Sequence, residues 1–201
     1  MEAARDAAAL LGGVVIFVSF LVSLSISWRV RHARDSSVVA FLPLAADVVE
    51  LYAWRLCGHA TGNIGMASFY AFGFAIMTFN ATVHRLYSSW TGPGLALIAA
   101  LLVMTAASSK MTTAGLHNVA RFCTMFARLA PVVRILTYPL PEIATCALVI
   151  CGLRTLIAVI GGDVWDIAWH IPGTVVAAVE IGVAICGRSL ITRGCCFSGT
   201  M

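Results

Sequence analysis

The sequence predicts an all-α membrane protein with seven transmembrane helices, and three observations support this prediction. Hydrophobic residues make up 60% of the 201 residues and charged residues only 11%, whereas a soluble domain carries about a quarter charged residues. The apolar residues form long runs and do not alternate with polar ones as they would in a membrane β-barrel. Seven runs approach the roughly 20 residues that a helix needs to cross a bilayer.

The predicted spans follow one another with short connections, and no polar stretch is long enough to form a separate domain. The fourth span is the shortest, so it needs its flanks or its neighbours in order to cross. The spans cover residues 8–28, 38–57, 65–83, 94–107, 116–136, 139–160 and 167–187.

The two halves of the chain share features that indicate an internal repeat. The first and fifth spans both end in a basic segment, "SLSISWRV" and "RLAPVVRIL", and an early proline follows in the next span, Pro43 in the first half and Pro139 or Pro141 in the second. We interpret the single membrane domain, residues 1–201, as two three-helix repeats joined by a linker helix (3+1+3). An odd linker leaves both repeats in the same orientation. The predicted units are repeat one at about 8–88, the linker helix at about 94–107, repeat two at about 115–188 and a short tail at 189–201.

The charges at the span ends predict an orientation. The connection "RVRHARDSS" and the tail arginines Arg188 and Arg193 lie on one side, and the acidic "GGDVWD" connection, with Asp163, lies on the other. Basic connections prefer the cytosolic side, so we expect an outside or lumenal N-terminus and a cytosolic C-terminus. The tail cysteines Cys195 and Cys196 are either palmitoylation sites or ordinary cysteines.

Charged residues interrupt several of the apolar runs. Asp47 and Glu50 lie one helical turn apart and therefore share a helix face. Charges in hydrocarbon are costly, so these groups should face a cavity or a partner. They either form buried ion pairs that tie helices together or include a carboxylate that accepts a proton during transport. The predicted intramembrane charges are Asp47, Glu50, Arg128, Arg154 and Glu180.

Four polar or amphipathic side chains are candidates for a binding pocket near the membrane midplane: Trp54, Tyr70, Asn80 and His170. Tyrosine and tryptophan stack on a sugar ring and still donate a hydrogen bond, and histidine both donates and accepts. The alternative for Tyr70 and Trp54 is a place in the aromatic belt at the membrane interface. His170 is close to a span start, so it is also compatible with the outer interface.

The sequence resembles the SWEET (MtN3/saliva) family of sugar transporters. Segment 42–58, "LPLAADVVELYAWRLCG", is similar to the second helix of that family through Pro43, Trp54 and Gly58. The segments "YAFG", "ARLAPVVRIL" and "GTVVAAVEIGVAICGR" are similar to parts of its third, fifth and seventh helices. At the positions of the two family asparagines that face the sugar, this sequence has Tyr70 and His170.

The resemblance implies a fold, a site and a gate. It implies that Tyr70 and His170 face each other across the interface between the repeats, with Trp54 nearby. It also implies that Pro43, Pro131 and Pro141 form hinges of an inner gate. The alternative for these prolines is that they simply begin helices.

Several other function classes are disfavoured by the sequence. It has no nucleophile elbow, HExxH motif or phosphate-binding loop, and its cysteines show no metal-ligand spacing, so we expect neither an enzyme nor a metal or other cofactor. A retinal protein needs a lysine in its last helix, whereas the one lysine, Lys110, lies between spans. The net charge is +4, but the sequence has no polar domain that could present a basic surface, so we expect no nucleic-acid partner.

The sequence therefore predicts a SWEET-like transporter of a small polar solute of the sugar class, either facilitative or proton-linked. The alternative is a non-transporting subunit that uses the same fold to pack within a larger membrane complex, such as an organellar energy-transducing complex. Membrane lipid is the expected surrounding in both cases. A homo-oligomer and a larger membrane assembly are both compatible with the sequence.

Overall fold

The computed structural model describes residues 2–89, 92–135, 140–161 and 164–195. The predicted tail residue Cys196 and the connection residue Asp163 lie outside this part of the chain. The described residues are helical throughout, with no strand, which confirms the all-α class. The helices are α1 Glu2–Ala33, α2 Phe41–Ala60, α3 Ile64–Leu86, α4 Gly92–Ser108, α5 Thr113–Leu129, α6 Pro131–Ile135, α7 Pro141–Gly161 and α8 Val164–Cys195, with a 3₁₀ turn at Ser36–Val38.

Prolines set several of the helix boundaries. The predicted fifth span is divided in two, because α5 ends at Leu129 and α6 begins at Pro131. A proline inside a helix removes one backbone hydrogen bond and clashes with the preceding turn. Pro141 is the first residue of α7. Helix α2 begins at Phe41, so Pro43 lies in its first turn, where its missing N–H costs little; this position fits the interpretation in which the proline begins a helix.

The helices form two groups of three with the same internal arrangement. In the first group α3 packs against both α1 and α2, and in the second α8 packs against both α5 and α7. The groups meet where α1 contacts α7 and where α2 contacts α5. Helix α4 connects the groups and packs on α2. The observed layout is therefore three helices, one helix and three helices.

The surface of the bundle suits a lipid environment. Three helical segments are long and apolar enough to cross a membrane, Leu10–Ala33, Ile64–Leu86 and Pro141–Ile160, and Gly92–Ser108 and His170–Cys186 are shorter apolar helices. Large apolar side chains such as Leu102 and Ile185 are more than half exposed, which is unfavourable in water but not in hydrocarbon. These exposed apolar faces indicate an integral membrane protein. The orientation of its termini remains a prediction.

Two short connections hold the ends of the first three helices. Before α2, the carboxylate of Asp35 accepts hydrogen bonds from the Ser37 hydroxyl (2.5 Å) and backbone N–H (2.8 Å), and these bonds lower the pKa of Asp35. Between α2 and α3, Gly62 adopts a φ of 67°, which glycine tolerates without strain. Asn63 then caps α3 by accepting the backbone N–H of Met66 at 2.9 Å. These turns fix the angle at which α3 returns along α2.

Candidate functional site

A cavity of about 570 Å³ lies between the two three-helix groups. Side chains of α1, α2, α3, α5, α7 and α8 line it, so both groups contribute to its wall. Apolar residues of α1 and α7 form part of the wall, and the charged residues come mainly from α2 and α5. The charged lining residues are Asp47, Glu50, Arg121, Arg128 and Arg154.

An ion pair crosses the cavity wall from one group to the other. The Nη2 atom of Arg128 on α5 lies 3.3 Å from Oε1 of Glu50 on α2. The Glu50 side chain is only 9% exposed and that of Arg128 only 21%. Asp47, one turn before Glu50, lies near enough to Arg128 to interact with it electrostatically. The predicted shared face of Asp47 and Glu50 therefore points into the cavity. Glu50 forms a buried ion pair, which is one of the two interpretations that the sequence left open for these carboxylates.

Aromatic rings form a second part of the wall. The Trp54 indole N–H donates to the Thr124 hydroxyl at 2.8 Å, which joins α2 to α5. The Trp54 ring stacks near Tyr70, with centroids 5.9 Å apart and planes 20° apart. The His117 ring meets Trp54 edge-on at 5.2 Å. Trp54 and Tyr70 thus lie in the cavity wall.

Tyr70 and His170 line the same cavity from opposite groups, Tyr70 on α3 and His170 on α8. Arg154 on α7 is near enough to interact electrostatically with both of them. The cavity therefore brings together three of the four residues for which a binding role was predicted, Trp54, Tyr70 and His170. Their role in binding a solute remains a prediction.

Asn80 lies outside the cavity, so its predicted place in the pocket is wrong. It is fully buried between α3 and α1. Its side-chain amide donates to the backbone oxygen (3.0 Å) and hydroxyl (3.2 Å) of Ser23, and its oxygen accepts from the Ser27 hydroxyl at 2.5 Å. Because the two serines saturate its amide, Asn80 joins two helices of one group and has no free atom for a solute.

Replacing Asn80 by alanine should lower the free energy of unfolding by about 1–3 kcal/mol, because the buried Ser27 hydroxyl loses its acceptor and the Ser23 backbone oxygen loses a donor. Solute affinity should stay unchanged, since the side chain does not reach the cavity. Chemical unfolding and solute binding of the purified variant in detergent measure both effects. Thr82→Ala is the control, because the exposed Thr82 hydroxyl bonds only to its own helix. A stable Asn80 variant with weakened solute binding would contradict this assignment.

Glu180 also lies away from the cavity, although it was predicted among the intramembrane charges. It is fully buried, and its Oε1 accepts the backbone N–H of Leu140 at 2.8 Å. Leu140 immediately precedes α7, so the carboxylate binds the helix N-terminus, where negative charge is favourable. Glu180 therefore fixes the start of α7 against α8.

The predicted hinge prolines are distributed around one end of the bundle. Pro43 is buried and lines the cavity, whereas Pro131 and Pro141 are at the starts of α6 and α7 and do not line it. Next to Pro141, Glu142 forms an ion pair with Arg29 at the end of α1. This pair joins the two groups and was not predicted, because 113 positions separate its residues. A hinge role for the three prolines remains a prediction.

The comparisons with known proteins support the architecture. No family model and no curated protein matches the chain. The structure of a eukaryotic SWEET transporter, determined at 3.7 Å resolution, is similar to it with a TM-score of 0.67, and the match covers 94% of this chain and 98% of that chain. The fold is SWEET-like. At 12% sequence identity the similarity shows the fold alone, so the predicted SWEET-like fold is confirmed and membership of the family is not implied.

Proposed function

We propose that this protein is a transporter in which a small polar solute passes between the two three-helix groups. The observation that carries this proposal is the charged cavity at their interface. Protein interiors are packed to nearly crystalline density, so a space of about 570 Å³ is more than a packing role requires. Its charged lining also favours water, whereas an apolar void would stay dry.

The helix contacts support a mechanism of alternating access. The groups contact each other mainly through α1 with α7 and α2 with α5, and rocking about these contacts would open the cavity to one side at a time. At one end the exposed Arg29–Glu142 pair links α1 to α7. Exposed pairs contribute only about 0–1 kcal/mol, so this link is weak enough to break and re-form in each transport cycle.

The proposal also includes the class of the solute and a possible coupling of transport to protons. Trp54 and Tyr70 offer a stacked aromatic surface, which supports a sugar-class solute. Asp47 lines the cavity on the same helix face as Glu50, so it is a candidate for a carboxylate that accepts a proton during transport. If transport is proton-linked, Asp47→Asn should abolish its dependence on a pH gradient.

Purified protein in proteoliposomes should accelerate the equilibration of at least one solute in a panel of sugars, amino acids and small organic acids. The rate should saturate with solute concentration, because the cavity holds a limited number of molecules. Protein-free liposomes and liposomes with heat-denatured protein are the controls. If folded, correctly inserted protein moves none of these solutes, the proposal is wrong.

Purification in a mild detergent separates this function from the packing-subunit alternative. A transporter should be isolated as a monomer or a small homo-oligomer. Co-purification at fixed stoichiometry with other membrane proteins, together with an absence of flux, would favour the subunit.

A further inference from the structure

The cavity carries an excess of positive charge. Among the described residues, three arginines line it, Arg121, Arg128 and Arg154, against two carboxylates, Asp47 and Glu50, which leaves one positive charge in this part of the wall when the histidines are neutral. Water screens charge poorly in a narrow site surrounded by hydrocarbon. An uncompensated cation there is costly unless an anion accompanies it.

The excess charge is concentrated at one place in the wall. Glu50 pairs with Arg128 across α2 and α5. Within the described part of the chain, Arg154 has no carboxylate within ion-pair distance, and its side chain is exposed. It is close to Tyr70 and His170. Arg154 on α7 therefore lines the cavity without a carboxylate partner among the described residues, next to Tyr70 of the other group and His170 of its own group.

Two buried donors nearby also lack acceptors. Neither Nε of Arg128 nor Nδ1 of His170 has a hydrogen-bond partner, and both residues line the cavity. Arg128 Nε can only donate, and His170 Nδ1 donates in one of its neutral tautomers. Leaving a buried donor unsatisfied is unfavourable. A carboxylate bound in the cavity has enough lone pairs to accept from both donors.

On the basis of the proposed transport function, we infer that the solute is a small organic monoanion whose carboxylate binds beside Arg154, Arg128 and His170. One negative charge neutralises the excess, and arginine binds carboxylates with two parallel hydrogen bonds. The apolar wall formed by Ile143 and Ile150 of α7 would contact the hydrocarbon part of the solute. This inference narrows the small polar solute of the proposed function to an amphipathic anion, and a neutral sugar is the competing class that the test below distinguishes.

Pairs of carboxylates and their neutral amides test the inference. The full-length protein in detergent at pH 7 is titrated with benzoate and butyrate, and separately with benzamide and butyramide, which have nearly the same shape. Calorimetry should show the carboxylates binding at least about 10-fold more tightly than the amides. Arg154→Gln should remove most of this preference, and Arg154→Lys should keep much of it.

Arg85→Gln is the matched control, because Arg85 lies outside the cavity and donates to the Ser88 backbone oxygen at the end of α3. It should leave the preference unchanged. Amides that bind as tightly as the carboxylates, glucose binding without carboxylate binding, or an Arg154→Gln variant with an unchanged preference would overturn the inference. Saturable flux of a neutral solute would then still support the transport function. Carboxylate binding without flux of any solute would instead retain the site and reject transport.

Discussion

Replacing Arg128 by glutamine should lower the free energy of unfolding by about 3–5 kcal/mol, because it leaves the Glu50 carboxylate buried without its cation. The two atoms of the pair lie 3.3 Å apart, and the Glu50 side chain is only 9% exposed, so water would compensate only partly for the lost guanidinium. The pair joins α2 to α5 and therefore also holds the two groups together. Denaturant unfolding in detergent measures the loss.

A double-mutant cycle separates the pair from general packing. Glu50→Gln combined with Arg128→Gln should be less destabilised than the sum of the single variants, since neither charge then remains buried alone. Arg29→Gln provides the comparison, because its ion pair with Glu142 is exposed and should contribute no more than about 1 kcal/mol. Equal losses of unfolding free energy in Arg128→Gln and Arg29→Gln would show that the cavity pair contributes no more to stability than an exposed pair, and would contradict this prediction.

Replacing Gly58 by alanine should destabilise the protein by about 1–3 kcal/mol, the usual cost of overpacking. A Cβ atom at Gly58 would lie 2.7 Å from the backbone nitrogen of Ala67 and 2.9 Å from its Cα. Backbone atoms cannot rotate away, so α2 and α3 would have to separate. Thermal unfolding in detergent should show a lower melting temperature.

Gly152→Ala is the matched control in α7. No atom lies within 4 Å of a Cβ built at Gly152, and alanine is a better helix former than glycine by about 1 kcal/mol. This variant should be as stable as the wild type or slightly more stable. If both alanine variants behave alike, the close approach of α2 and α3 does not limit stability.

Much of the fold was predictable from the sequence, because hydrophobicity and length decide which segments become membrane helices. Six of the seven predicted spans each correspond to one helix, and the fifth is divided into α5 and α6; the fold is similar to that of a SWEET transporter over 94% of the chain. The division of the fifth span at Pro131 was harder to predict, because a proline in an apolar segment can kink a helix, end one or begin one. Here it begins α6. The start of α2 at Phe41 was not predictable to the residue, because hydropathy locates a helix boundary only within a few residues.

The site was predictable only in part, because it depends on contacts between distant segments. The spacing of Asp47 and Glu50 placed both on one face, and that face lines the cavity. A buried asparagine has the same sequence signal whether it binds a solute or other side chains, so the bonds of Asn80 to Ser23 and Ser27 were not visible. The position of Arg154 beside Tyr70 and His170 depends on the packing of three helices from both groups.

The central claim, that solute passes through the cavity between the groups, is tested most directly by blocking that cavity. Ala147 of α7 lines it, whereas Val149, two residues later, is exposed and does not line it. Ala147→Trp should abolish solute flux in proteoliposomes, and Val149→Trp should retain it, with both variants inserted and folded to the same extent. Undiminished flux through the Ala147→Trp variant, or equal loss in both, would contradict the account.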